Sequence, residues 1–273
     1  TRFLTRRPIA ARSDTLTYRT GKFVRRHRAG VAATAATAVL IAALVTVYTF
    51  QLATERDRAT EQAAVAESVV EFFVETLEEG NPNAAPGDTL TIYDIIDRAE
   101  ERSEQLDNRL ARANVLDGIG RIRHVHGQFD RADSLFTRSL DLRRMALSPD
   151  HPDVASSLNH LAQVYALQGD YAAADSLIMQ SLAILQQAYG ARDSQLAEPM
   201  KILAQVRYRQ GRYADADSLY GRTVSIDRRA NVLPADSRAD THQEWGMAKF
   251  QQADYAGAAE QYRRAIDYFD EVY

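Results

Sequence analysis

From about residue 110 onward, bulky, small and aromatic residues return at fixed intervals. Leu116, Leu158 and Met200 occupy one column, with His242 in the fourth place. Three residues later come Ile119, Leu161, Leu203 and Trp245, and each is followed by a small residue: Gly120, Ala162, Ala204 and Gly246. The chain then reads GQFDRADSLF from Gly127, GDYAAADSLI from Gly169, GRYADADSLY from Gly211 and ADYAGAAEQY from Ala253, 42 residues apart each time. Within that phrase an aromatic comes third (Phe129, Tyr171, Tyr213, Tyr255) and an alanine sixth (Ala132, Ala174, Ala216, Ala258). A bulky residue comes tenth (Phe136, Ile178, Tyr220, Tyr262). Spacings of three, four and seven place these residues on one face of each of two helices. The glycine marks the turn between them, where positive φ is easiest. Each unit is thus expected to be a helical hairpin that buries its apolar face only by stacking on its neighbours. The expected pairs span about 113–147, 155–189, 197–231 and 239–273, and no strand-like alternation stands out.

These columns resemble the tetratricopeptide repeat, whose bulky, small, turn-glycine, aromatic and alanine positions are matched in order. The usual unit is shorter. The 42-residue unit, with HPDVASSLNHLAQVYALQGDY from His151, resembles the repeats of kinesin light chains. The resemblance implies an all-α solenoid over 111–273. The fourth unit departs most, with Ala253 for the glycine and His242 for a bulky apolar residue.

Upstream, the pattern predicts one long helix over 55–79, with Ala64, Val65, Ser68, Val69, Phe72, Phe73 and Leu77 as its apolar stripe. Gly80 ends it, and residues 81–88 are rich in Pro, Asn and Gly, a turn signal. Thr91 with Asp94 three residues on predicts a capping box for a second helix. Residues 55–110 therefore read as a long helix and an atypical hairpin closing one end of the solenoid. Before them, 29–54 carries no charged residue, long enough as helix to cross a bilayer, which predicts a single transmembrane helix. Tyr48 and Phe50 lie near its far end, where aromatics favour an interface.

Charge adds an orientation. Residues 1–28 hold nine basic side chains against one acid, Asp14, whereas the whole chain is −4. A basic segment before a span places the N-terminus in the cytoplasm and the repeats outside the inner membrane. With the span adjacent, the arm reads as membrane-facing, and no nucleic acid is expected. The chain has no cysteine, which excludes disulfides and thiolate metal sites. The first residue is not methionine and no signal peptide is present, so the sequence reads as a piece of a longer protein.

Two stretches carry a second resemblance. FLTRRPIAARSDTLTYRTGKFVRRHRAG (residues 3–30) and AESVVEFFVETLEEGNPNAAPGDTLTIYDIIDRAEER (66–102) resemble segments flanking the span of bacterial transmembrane serine/threonine protein kinases. That implies a sensor or scaffold half of such a kinase. The motifs phosphoryl transfer needs are not in these residues: His27-Arg28 is followed by Ala29, not aspartate. No enzyme activity and no cofactor are expected of the chain itself. A membrane-complex assembly scaffold, or repeats attached to another cytoplasmic output domain, would fit the same pattern.

His124 and His126 could suggest a metal pair, but they stand at ordinary turn-proximal positions of the repeat and lack a third ligand. The aspartates and serines of the recurring Ala-Asp-Ser triplets (from Ala132, Ala174 and Ala216) read as a solvated face of each second helix. What remains is a binding surface on the first helices. Asn114, Asp117 and Arg121, then Asn159, His160 and Gln163, then Lys201, Gln205 and Tyr208, then Gln243, Met247 and Phe250 are the positions the core leaves over. A peptide groove is expected there, with Arg121, Asn159, His160, Gln163, Lys201, Gln205, Tyr208, Gln243 and Phe250 as its lining. Its amides would bond an extended backbone, and Lys201 with Arg209 would favour an acidic segment. Partners are thus a protein or peptide in the groove and membrane lipid along 29–54.

Overall fold

The computed structural model describes residues 23–79 and 91–272, and these form helices. In order they are α1 (Arg28–Glu79), α2 (Ile92–Arg102), α3 (Arg109–Val125), α4 (Phe129–Ala146), α5 (Pro152–Gln168), α6 (Tyr171–Tyr189), α7 (Ala197–Arg209), α8 (Tyr213–Ala230), α9 (Ala235–Gln251) and α10 (Tyr255–Val272). The packing separates residues 1–63 from 64–273. Most of the basic arm and the turn at 81–88 lie outside the described residues.

In the first unit, the charge-free stretch and the charged residues after it belong to one helix, α1, with no break near residue 54. The expected membrane span finds no support among the described residues, where no helix is long and apolar enough to cross a membrane. Side chains at 33–35, 38 and 54, within that stretch, are outside the described set.

In the second unit, the end of α1 packs through Val65, Phe72 and Thr76, with Val69 half-buried beside them. Phe73, expected in this stripe, is exposed instead. Thr76 takes the inward place because its hydroxyl is satisfied by donating to the Phe72 carbonyl at 2.7 Å. Leu77's side chain lies outside the described residues. The capping box forms: Thr91 N donates to Asp94 Oδ2 at 2.8 Å, and Asp94 N donates to Thr91 Oγ1 at 3.3 Å. Phe72 then meets Ile96 and Ala99 of α2, and Val115, Leu116 and Ile119 of α3, in one cluster.

The paired helices α3/α4, α5/α6, α7/α8 and α9/α10 follow as a stack. Phe136 and Leu140 of one pair pack against Val154, Leu158 and Leu161 of the next. Ile178, Leu182 and Leu185 meet Met200 and Leu203 in the same way. Burying a side chain such as Phe136 contributes about 1.5–3 kcal/mol, so each interface is a large share of a pair's stability.

The small column has a specific cause. A Cβ on Gly120 would stand 2.7 Å from Phe136 Cε1, and one on Gly246 2.6 Å from Tyr262 Cε1. The residue sixteen positions later therefore lays its ring over the helix backbone. At the turns, Gly127, Gly169 and Gly211 have φ between 74° and 86°, and Ala253 takes the same left-handed place at φ 62°. His242, which replaces an apolar residue, is 3% exposed. It is accommodated because its Nδ1 is 2.8 Å from Gln261 Oε1, and its ring stacks on Tyr268 with centroids 5.5 Å apart.

Candidate functional site

The first helices of all four pairs, the first through His124, border a cavity of about 450 Å³ that Tyr220 of α8 also reaches. Gln163 from α5, Lys201, Gln205 and Tyr208 from α7, and Glu244 and Met247 from α9 line it. Four expected groove residues are thus brought together: Gln163, Lys201, Gln205 and Tyr208. Ala166, Leu167 and Met247 give it an apolar wall.

Its polar groups are not equally available. Gln205 Nε2 lies 2.9 and 3.0 Å from the two oxygens of Glu244, and Tyr220 O–H donates to Glu244 Oε2 at 3.2 Å. Burial pushes the Glu244 carboxyl above its ordinary range, against the opposing pull of these two donors. Burial, and secondarily the Glu244 charge, also hold the Tyr220 phenol well above its usual value. Lys201 Nζ donates to Ser237 Oγ at 2.7 Å and sits 2.9 Å from Glu198 Oε2. The expectation that Lys201 presents a spare positive charge is therefore corrected, because its ammonium is already paired. Gln163 has no side-chain hydrogen bond among the described residues, and Arg209 is exposed at the rim.

The other expected groove residues lie elsewhere. His160 Nδ1 is 2.8 Å from Asp117 Oδ1, and its ring rests 5.0 Å from that of Phe136. Arg143 joins this group, donating to Ser157 Oγ at 2.7 Å and to Asn114 Oδ1 at 3.1 Å. Burial opposes the charge on Asp117, yet His160, Arg143 and Arg121 hold its carboxyl below the usual range. His160 and Asp117 are thus a polar seam between the first two pairs rather than free groove groups. Asn159 Oδ1 is withdrawn from water without a hydrogen-bond partner among the described residues. Arg121 and Gln243 are exposed outside the cavity, and Phe250, 54% exposed, packs edge-on against Tyr255.

A second set of residues was not singled out in the sequence. Arg207 Nη2 donates to Asp175 Oδ2 at 3.0 Å, and Lys249 Nζ lies 3.1 Å from Asp217 Oδ1. Tyr165, one period before Arg207, faces Asp133; burial first and then that charge hold its phenol above the usual value. The triplet aspartates are therefore half-buried bonds between pairs, and only the serines Ser134, Ser176 and Ser218 form the exposed face. The signal was present: a polar partner stands 32 residues after each aspartate, one period less ten. The same column begins at Arg123, which is 2% exposed and pairs with Asp97 of α2.

In a wider depression of about 570 Å³ at the α3–α4 turn, Arg123 and Arg131 both pair with Asp97, and Asp130 accepts from the Gln168 amide. His124 packs against Phe129, and His126 Nδ1 lies 3.4 Å from the Tyr93 hydroxyl. Among the described residues no group of three His, Asp or Glu could hold a metal ion.

Comparisons with known proteins agree with this geometry. The tetratricopeptide repeat family matches residues 110–187 and, overlapping, 153–229. Human nephrocystin-3 is 38% identical over 73 residues, 27% of this chain, which spans only 6% of that protein's length. Among solved structures, BtubC (BKLC) from P. vanneervenii superposes with a TM-score of 0.58 at 16% identity, covering 77% of this chain and 90% of that one. A Rap protein complexed with competence and sporulation factor gives 0.58 at 16% identity, covering 76% and 55%. Kinesin-light-chain TPR-like repeats from Podosopora anserina give 0.51 at 20% identity, covering 76% and 95%. The helical pairs of residues 110–229 are tetratricopeptide repeats, stacked as an all-α solenoid.

Proposed function

We propose that the repeats are a protein-interaction scaffold that takes an extended peptide into the cavity bordered by the first helices of the pairs. The observation that carries this is the cavity itself, where the unengaged amide of Gln163 faces an apolar wall that includes Met247. Such an amide can both donate to and accept from a peptide backbone. A chain of similar fold, the Rap protein, is complexed with competence and sporulation factor. The test is selection of a displayed nonapeptide library on the 273-residue chain in mild detergent. Enriched peptides should bind Gln163→Ala/Met247→Ala at least about tenfold more weakly than wild type, with equal helicity by circular dichroism. Equal binding by both forms would remove the cavity as the site and favour a purely structural scaffold.

The setting we propose is a single inner-membrane span at 29–54, N-terminus cytoplasmic and repeats outside, in the sensor half of a serine/threonine kinase. The lack of charge in 29–54 supports the span. So do Val39, Leu40, Ile41, Leu44, Val45 and Val47, which project exposed around α1, an unfavourable state in water. The kinase association rests on the flanking segments 3–30 and 66–102. Protease added to intact spheroplasts should digest the repeats and spare the arm; protection of the repeats until lysis would reverse the orientation.

A further inference from the structure

We infer that Glu244 is the anchor for a lysine or arginine side chain of the bound peptide, a reading that rests on the cavity being the peptide site. The carboxylate lines a 450 Å³ cavity and has drawn away from water, yet its partners are both neutral, an amide and a phenol. A carboxylate held this way has no cation bonded to it to offset its desolvation, and Lys201 acts on it only through its charge. The nearest fixed cation in the cavity is committed elsewhere, since Lys201 pairs with Glu198 and donates to Ser237. Arg209 stands at the exposed rim. Glu244 is thus a half-buried carboxylate of the cavity, whereas Arg209 in the same lining is exposed and the Glu198 side chain is 46% exposed. A cationic side chain entering from the peptide would complete the Gln205–Glu244–Tyr220 network with a charge-assisted bond and exclude water from it. Apolar contact with Met247 and Ala166 suits the aliphatic stem of lysine or arginine, which buries readily while its head stays polar. This reverses the preference for an acidic segment expected from Lys201 and Arg209 in the sequence.

Nonapeptide libraries with one central position fixed as Lys, Arg, Gln or Glu are panned on the 273-residue wild type, Glu244→Gln and Glu260→Gln, the last an exposed carboxylate outside the cavity that pairs with Arg264. Wild type should enrich Lys or Arg at one position, and replacing that residue by Gln should weaken binding at least about tenfold. On Glu244→Gln the same replacement should change nothing, whereas Glu260→Gln should keep the discrimination. Circular dichroism and a melting temperature no lower than wild type show that Glu244→Gln is folded. Enrichment of Glu, or of peptides without a cation, overturns the assignment while leaving the cavity as a peptide site. Discrimination persisting in Glu244→Gln overturns it equally. If wild type enriches no peptide at all, the cavity reading and this one fall together.

Discussion

Arg207 of α7 reaches back to Asp175 of α6, with Nη2 at 2.8 Å from Oδ1 and 3.0 Å from Oδ2, and so ties the third helical pair to the second. Asp175 keeps 23% of its side chain exposed, so the pair is shielded enough to matter. Asp175→Ala should destabilise the chain by about 1–2 kcal/mol, above the value for a fully exposed pair. Ser176→Ala, one residue on and exposed, should cost under about 0.5 kcal/mol. Urea unfolding of the two variants checks this; equal midpoints would mean the ion pair contributes nothing.

The ring over Gly120 makes a second contrast. Gly120→Ala puts a methyl 2.7 Å from Phe136 and should cost about 1–3 kcal/mol through overpacking. Gly118→Ala, with nothing within 4 Å of its Cβ, should stabilise α3 by up to about 1 kcal/mol through helix propensity. A stabilised Gly120→Ala would show that the ring moves aside freely.

At the fourth turn, Ala253 holds a left-handed conformation that costs an L-residue about 1–2 kcal/mol. Ala253→Gly should raise the melting temperature, with a net gain of up to about 1 kcal/mol once glycine's extra chain entropy is counted. Gly169→Ala, the same change reversed at φ 86°, should lower it. Thermal melts in which both variants move the same way would reject a left-handed requirement.

Glu244 gives a pH dependence with a definite sign. Burial raises its folded-state pKa above the ordinary 4.5, outweighing the donors Gln205 and Tyr220 and the nearby Lys201, while Asp240 adds to the rise. The folded state thus binds a proton that the unfolded chain has lost. The site favours folding fully below about 4.5, and that contribution disappears as pH climbs through the folded value. Glu244→Gln should therefore be more stable than wild type at pH 8, and the gap should close toward pH 4. Unfolding midpoints across that range decide it, and a gap that widens in acid would be the contrary result.

The hairpins were legible because their columns repeat at a fixed interval and because glycine, alanine and aromatics each have a local reason for their places. The cavity was legible in part, since Lys201, Gln205 and Tyr208 lie on one helix and Gln163 is the counterpart of Gln205 one period earlier. What each of those groups is bonded to was not legible, because Glu244, Ser237 and Glu198 approach from other turns or other helices. His160 was misplaced for the same reason: its partner Asp117 lies in the preceding pair, 43 residues away. The triplet aspartates were read as solvent-facing because one helix considered alone leaves them outside. Only the next pair, arriving 32 residues later, covers them.

The cavity takes its walls from all four pairs, His124 from the first, Gln163 from the second, Lys201 from the third and Glu244 from the fourth. Its width is therefore set by the pitch of the stack and not by any single helix. Tension along the array would spread these walls, and a guest bridging Gln163 and Glu244 would resist the stretch. Mechanical load and occupancy then act on one coordinate, and by reciprocity each shifts the other by the same free energy. A stack with a peptide bound as proposed would therefore be stiffer than an empty one.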